Sequence, residues 1–159
     1  MIKIRKARLA DANRMIQVLV DAYHGNYSAA GEYYSRQELV DPNYQITSGP
    51  YNSREVFVRE NVKSLNKRLK SPFEAFVMFD DNDMIGYIII ENHLGRTWIN
   101  DIIIKKNYQN KDLGRKLFLH ATKNKKQIYL WVNMKNPAFK FWKKMGFNEV
   151  LKECLMMKK

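Results

Sequence analysis

Between Phe73 and Ile104 three apolar runs follow one another with only tight turns between them, and beyond Ile104 the apolar residues change from strand to helical spacing. Phe73 to Phe79 and Met84 to Ile90 flank Asp80-Asp81-Asn82-Asp83, whose side chains favour tight turns, so the two runs predict an antiparallel hairpin. Trp98 to Ile104 predicts a third strand after a turn at His93-Leu94-Gly95-Arg96. These strands make a sheet the centre of the domain. Leu113, Leu117, Phe118 and Ala121 then mark a short amphipathic helix, and Ile128-Tyr-Leu-Trp-Val132 reads as a buried strand flanked by helices. Strand, helix and strand in that order predict a parallel pair.

The flanking segments complete the pattern. Ile2 to Arg8 alternates apolar and basic residues as a half-buried strand does, and Ala12, Met15, Ile16, Leu19, Ala22 and Tyr23 share one helical face. From His24 to Tyr51 no period holds, because Gly25, Gly31, Pro42, Gly49 and Pro50 break the chain repeatedly. That insert is rich in tyrosine and is either a functional segment or an ordinary surface loop. A helix is predicted over Ser53 to Leu69, with Asn52 and Glu55 spaced as a capping box. Its buried stripe is Val58, Val62, Leu65 and Leu69. Near the C-terminus, Asn136 and Pro137 suit the start of a helix whose inner face is Ala138, Phe141, Trp142 and Met145, with Gly146 as its stop. Val150 to Met157 predicts a last strand.

A chain of 159 residues, 45% of them hydrophobic, fits one domain over 1–159 with a core large enough to need no covalent staple. A single cysteine, Cys154, excludes an intrachain disulfide and every multi-cysteine metal framework; the three histidines are too scattered to form a metal motif. No metal is expected. The N-terminus lacks the apolar core and cleavage site of a signal peptide, and no apolar run approaches the roughly 20 residues that span a bilayer. The expected location is the cytoplasm, without a membrane. With 28 Lys and Arg against 16 Asp and Glu, the formal charge is +12, which attracts anions. Nucleic acid, a phosphorylated cofactor and an acidic peptide all satisfy that charge. The basic residues are dispersed and no zinc-finger or RNA-recognition signature accompanies them, so a nucleic-acid role rests on charge alone.

Chemistry concentrates in Tyr108-Gln-Asn-Lys-Asp-Leu-Gly-Arg-Lys116, between the strand ending at Ile104 and the helix beginning near Leu113. A loop that leaves a buried strand and feeds a helix N-terminus points backbone N–H groups outward, where the helix dipole is positive. That arrangement suits a pyrophosphate. Lys111, Arg115 and Lys116 add positive charge, and Gly114 permits close approach of the backbone.

The chain resembles the GNAT superfamily of acetyl-CoA-dependent N-acetyltransferases over nearly its whole length. Gln109-Asn-Lys-Asp-Leu-Gly114 matches the first and last positions of that family's Q/R-x-x-G-x-G/A loop, and Ala138 to Phe147 resembles its later segment. The resemblance implies an α/β (α+β) fold: a mixed, mostly antiparallel sheet of about six or seven strands with a splayed parallel central pair, flanked by about four helices. It implies acetyl-CoA as co-substrate, held by Ile102, Ile103, Ile104, Gln109, Asn110, Lys111, Asp112, Leu113, Gly114, Arg115, Asn133, Asn136, Phe139 and Trp142. Ile102 and Ile104 would present backbone groups to the pantetheine arm, and a strand N–H would stabilise the oxyanion. The other partner is a primary amine of a small molecule or protein, in a monomer or homodimer. Asp101 and Glu91 are the candidate bases, and Tyr129 or a tyrosine of the His24 to Tyr51 insert the candidate acid. Each also has a structural reading: Asp101 as a salt-bridged strand residue, Glu91 as a strand-end residue, Tyr129 as core. Phe141 and Trp142, at helical spacing, read as core more readily than as ligand contacts.

Three positions depart from the family pattern. Asp112 stands at the middle glycine of the loop, where its carboxylate either turns outward or caps the helix. Trp142 stands where many members have the tyrosine that protonates the leaving thiolate, and an indole N–H is too weak an acid for that. Lys135 replaces an asparagine, with Asn133 and Asn136 on either side. These departures support a second reading, a GNAT-like protein that binds or senses an acyl-CoA without turnover. A basic nucleic-acid-binding protein is the third.

Overall fold

A computed structural model describes residues 1–22, 54–69, 73–132, 136 and 138–150. The insert from His24 to Tyr51, the Asn52 half of the capping box, and the body of the expected last strand at Val150 to Met157 lie outside them. The described elements, in order, are β1 (Ile2–Lys6), α1 (Ala12–Ala22), α2 (Arg54–Arg68), β2 (Phe73–Asp80), β3 (Asp83–His93), β4 (Arg96–Ile104), α3 (Leu113–Thr122), β5 (Ile128–Leu130) and α4 (Ala138–Lys144). One mixed sheet runs β1-β2-β3-β4-β5. Its first three pairings are antiparallel and the last, β4 with β5, is parallel. The described residues therefore hold five strands, where the resemblance implied six or seven, and four α-helices.

Helices cover both faces of the sheet. On one face α1 and α2 lay Met15, Ile16, Leu19 and Leu65 over Ala75, Val77, Tyr87, Ile89 and Ile103. On the other, α3 and α4 lay Leu117, Phe118, Ala121 and Trp142 over Met78, Ile88, Ile90, Ile99 and Ile104. Central β3 is thus buried from Met84 to Ile90, which explains a continuous apolar run in an antiparallel strand. Both sequence-read turns are formed. Asp81 takes a positive φ between β2 and β3, and Leu94 and Gly95 both do so between β3 and β4, where the right-handed twist of the hairpin demands it.

Gly86 shows how tightly the sheet is filled. A Cβ there would stand 2.9 Å from the Ile103 carbonyl oxygen and collide with the Ile104 side chain. The missing side chain lets Ile104, at the end of β4, lie flat over β3.

The turn from β1 into α1 is fixed by one carboxylate. Asp11, 5% exposed, accepts from both Arg5 terminal nitrogens at 2.7 and 2.8 Å and from the Arg8 backbone N–H at 2.7 Å. The Arg5 hydrogen bonds hold its carboxyl below the ordinary value of 3.8, against the opposing effect of burial. A depressed folded pKa gives stability that is complete above the unfolded value and is lost as pH falls through the folded one. Asp11→Ala is expected to lower stability by about 2 kcal/mol at neutral pH, since it strands a charged partner. Chemical denaturation at pH 7 and pH 3 checks this, with the penalty shrinking at the lower pH.

Candidate active site

β4 and β5 pair only at Thr97↔Ile128, Trp98↔Tyr129 and Ile99↔Leu130. Beyond Ile99 the edge of β4 from Asn100 to Ile104 has no strand partner among the described residues. The opening coincides with an irregularity on the other edge: Ile90 pairs with Ile99 and Ile89 with Asp101, so Asn100 is the extra residue of a bulge. Lys105 donates its N–H to Ile85 O at 2.9 Å, toward β3. Strand alternation therefore turns the N–H and C=O groups of Ile104 and Ile102 toward the opening, and those of Ile103 back toward β3. The Gln109 side chain reaches Ile104 O across that open edge at 2.9 Å.

At the end of β4 the chain makes a short 3₁₀ turn, Lys106–Tyr108, and enters α3. Asn110 and Asp112 both take positive φ, 60° and 59°. Lys116 N–H donates to Asp112 O at 3.0 Å as the helix begins, so the N–H groups of Leu113, Gly114 and Arg115 precede the hydrogen-bonded ladder. Left-handed residues beside helical ones gather N–H groups into an anion-binding concavity. A Cβ at Gly114 would meet nothing nearer than 3.8 Å, so Ala fits there as well as Gly. Lys111 lies over the Tyr108 ring at 5.5 Å, and Arg115 and Lys116 are exposed.

The same geometry explains Asp112. Its position needs the left-handed backbone that glycine adopts freely and that Asp tolerates better than most residues. It does not cap the helix: the side chain makes no capping hydrogen bond, is 71% exposed, and turns outward to Arg115 at 3.5 Å. Capping, one of the two alternatives drawn from the sequence, is therefore corrected to the other. Asp112→Gly is expected to raise stability by up to about 1 kcal/mol, read by thermal unfolding, because it relieves a left-handed residue and removes no cap.

On the face of the sheet covered by α1 and α2, one row of paired residues crosses three strands: Glu91 on β3, Trp98 on β4 and Tyr129 on β5. Trp98 packs on Tyr129 with ring centres 5.1 Å apart and stacks with Trp131 at 6.2 Å and 16°. Arg96 lies 5.5 Å over the Tyr129 ring. Glu91, His93, Trp98, Asn100 and Trp131 line an open cavity of about 220 Å³, with Asn100 Nδ2 3.5 Å from Glu91 Oε2. Trp131 remains 54% exposed.

The structure separates the candidates named from sequence. Glu91 lines the cavity. Tyr129 stands behind it, against Trp98. Asp101 points to the α1 and α2 face with its side chain 1% exposed, held by Arg68 Nη2 at 2.9 Å in an ion pair whose angles miss good hydrogen-bond geometry. Burial pushes its carboxyl above 3.8 despite the Arg68 charge. A buried, ion-paired group fits the structural reading of Asp101 as a salt-bridged strand residue.

Gln109, Asn110, Lys111, Asp112, Leu113, Gly114 and Arg115 form the loop and first turn of α3. The Ile103 side chain is buried in the α1 and α2 core, on the face opposite those of Ile102 and Ile104. Trp142 is 5% exposed among Phe118, Phe141 and Phe147, with centroids 4.8 to 5.8 Å away, and lies in the core. Asn136 caps α4 by accepting from Ala138 N–H at 2.9 Å, and Phe139 is half-buried in the same helix. Asn133 lies outside the described residues. Sequence reasoning missed Trp98, Asn100 and Trp131 as site residues. Trp98 and Trp131 sit on strands read as buried, and only the end of the β4–β5 pairing reveals that their outer ends face a cavity.

Residues 71–149 match the family model described as an acetyltransferase (GNAT) domain. These residues belong to the GNAT acetyltransferase family. Two solved GNAT structures illustrate the likeness. The ribosomal-protein-S18-alanine N-acetyltransferase of Escherichia coli superposes with a TM-score of 0.65 at 16% identity, over 95% of this chain and 80% of that one. The PaiA N-acetyltransferase of Thermoplasma acidophilum, in complex with coenzyme A, superposes with a TM-score of 0.65 at 23% identity, over 93% and 90%. A search of curated proteins finds no significant sequence match. At these identities the likeness establishes the GNAT fold. Among the described residues, no three His, Cys, Asp or Glu side chains gather into a metal-sized group, and no helix is long and apolar enough to cross a membrane.

Proposed function

We propose that this GNAT protein transfers an acetyl group from acetyl-CoA to a primary amine by direct attack. The observation that carries the reading is the coincidence, at one end of β4, of an open strand edge and a helix N-terminus that both offer backbone donors. The residues fit the co-substrate. Leu113, Gly114 and Arg115 would receive the pyrophosphate on their N–H groups, with Lys111 and Lys116 adding charge. Ile102 and Ile104 would hydrogen-bond the pantetheine amides along the open edge. Gln109 acts as a positioning residue, because its bond to Ile104 O ties the loop to the strand. The co-substrate supplies an activated thioester and a good leaving group.

The balance of the reaction defines what the chain must do. The amine nitrogen forms a bond to the acetyl carbonyl carbon, the carbon–sulfur bond breaks, and the sulfur leaves as a thiolate. An alkylammonium loses two protons in becoming an amide; the thiolate takes one and solvent the other. Glu91 is the carboxylate that lines the cavity, and we assign it the first of these proton acceptances, directly or through one water. With Trp142 buried in the core, the proton for the thiolate comes from another donor or from solvent.

Two features favour transfer over the acyl-CoA-sensing alternative. Asp112 turns its carboxylate away toward Arg115, and the cavity beside the open edge is built with its own carboxylate. Release of free CoA thiol, followed in the presence of acetyl-CoA and a panel of primary amines, tests the reading. Amine-dependent release is expected; tight acetyl-CoA binding with no release from any amine would support the sensing alternative instead.

A further inference from the structure

The cavity beside the open strand edge has a chemistry that narrows the amine. Its walls are two indoles, Trp98 and Trp131, stacked within 16° of parallel; among the described residues its carboxylate is Glu91, with Asn100 at 3.5 Å and His93 also lining it. A half-exposed tryptophan costs solvent ordering and contributes little to a core, whereas its face attracts cations and flat apolar groups. About 220 Å³ is small beside the roughly 300–1,000 Å³ of pockets for drug-sized ligands, and admits one small group. The Glu91 carboxylate neutralises one ammonium. Further positive charges on the same molecule would face a chain of net charge +12, with Arg96 nearby over Tyr129.

We infer that this cavity binds a small monoamine with a flat apolar body, of the arylalkylamine kind, the ammonium directed to Glu91 and the body laid against Trp131 and Trp98. Its role as the acceptor subsite rests on the acetyl-transfer reading above. The binding itself does not.

Two measurements separate the two claims. Calorimetric titration of 2-phenylethylamine into the protein without acetyl-CoA is expected to show binding that Trp131→Ala weakens about tenfold. Trp131 is exposed and absent from the core clusters, so the variant is expected to fold, and unchanged thermal unfolding verifies it. Failure of the parent to bind, or equal binding by the variant, would overturn the inference. In turnover, Trp131→Ala should raise KM for 2-phenylethylamine about tenfold while leaving kcat within twofold and acetyl-CoA affinity unchanged. Spermidine should show kcat/KM at least tenfold below that of 2-phenylethylamine; equal or better use of spermidine would overturn the preference for a single charge. Amine binding without turnover would leave the amine site standing and count against acetyl transfer alone.

Discussion

Replacing Arg68 by Met is expected to destabilise the protein by about 3–5 kcal/mol at neutral pH. Arg68 ends α2 and supplies the charge opposite Asp101, whose side chain is 1% exposed on β4. Methionine keeps most of the apolar stem where the Arg68 guanidinium now lies 5.7 Å over Phe73, so the loss reports mainly on charge. Without the guanidinium, Asp101 either stays ionised in an apolar site or takes up a proton on folding. Both cost free energy at pH 7. The pH dependence has a definite sign. Burial already raises the Asp101 pKa above 3.8, so its contribution to stability is greatest below the unfolded pKa and is lost as pH rises through the folded one. The Arg68→Met penalty should therefore shrink as pH falls toward 4. Asp11 and Glu74 act with the opposite sign, since Arg5 and Lys125 respectively lower their pKa values. Denaturant unfolding of parent and variant from pH 4 to 8 cancels those shared terms. A difference that is constant across this range would contradict the assignment of the loss to an unpaired carboxylate.

Glu91→Gln is expected to lower kcat by about 10²–10⁴-fold, the range that general-base catalysis commonly supplies, while acetyl-CoA affinity stays within a factor of two. Glutamine preserves shape and the contact with Asn100 but accepts no proton from an ammonium. The loss should also narrow as pH rises and more of the free amine is already neutral. Steady-state rates at pH 7 and pH 9.5 with one amine measure both parts. A kcat within threefold of the parent at pH 7 would remove Glu91 as the base and direct attention to His93, the other titratable group of the cavity.

Most of the fold was legible because hydrophobic period and turn chemistry agree. Asp80 to Asp83 and His93 to Arg96 mark two turns, and the strand, loop and helix from Trp98 to Leu117 mark the crossover. The loop before α3 was legible differently, as a pattern: Gln109 and Gly114 match the two ends of the family's loop, and the Gln109 side chain ties that loop to Ile104 O. The acceptor side was not. Asp101 and Glu91 look equivalent in the sequence, two carboxylates on neighbouring strands. Only the extra residue at Asn100, which shifts the β4 register, shows that one faces Arg68 and the other a cavity. Likewise Asp112 reads as a defect in a glycine position until its φ of 59° shows that the backbone requirement is met. Burial of Trp142 was legible from its helical spacing with Ala138 and Met145, whereas its partner Phe118, 24 residues earlier, was not.

Calorimetric titration with acetyl-CoA tests the central claim most directly, using the parent, Gly114→Ala and Gly114→Pro. A Cβ at 114 has room, and alanine keeps the N–H, so the alanine variant should bind like the parent. Proline at the second helical position removes one outward N–H and disfavours the helical backbone of Leu113, while thermal unfolding confirms that the fold is kept. Binding by parent and Gly114→Ala, with at least a tenfold loss in Gly114→Pro, is the predicted result. Undiminished binding by the proline variant, or none by the parent, would contradict a cofactor site at the head of α3.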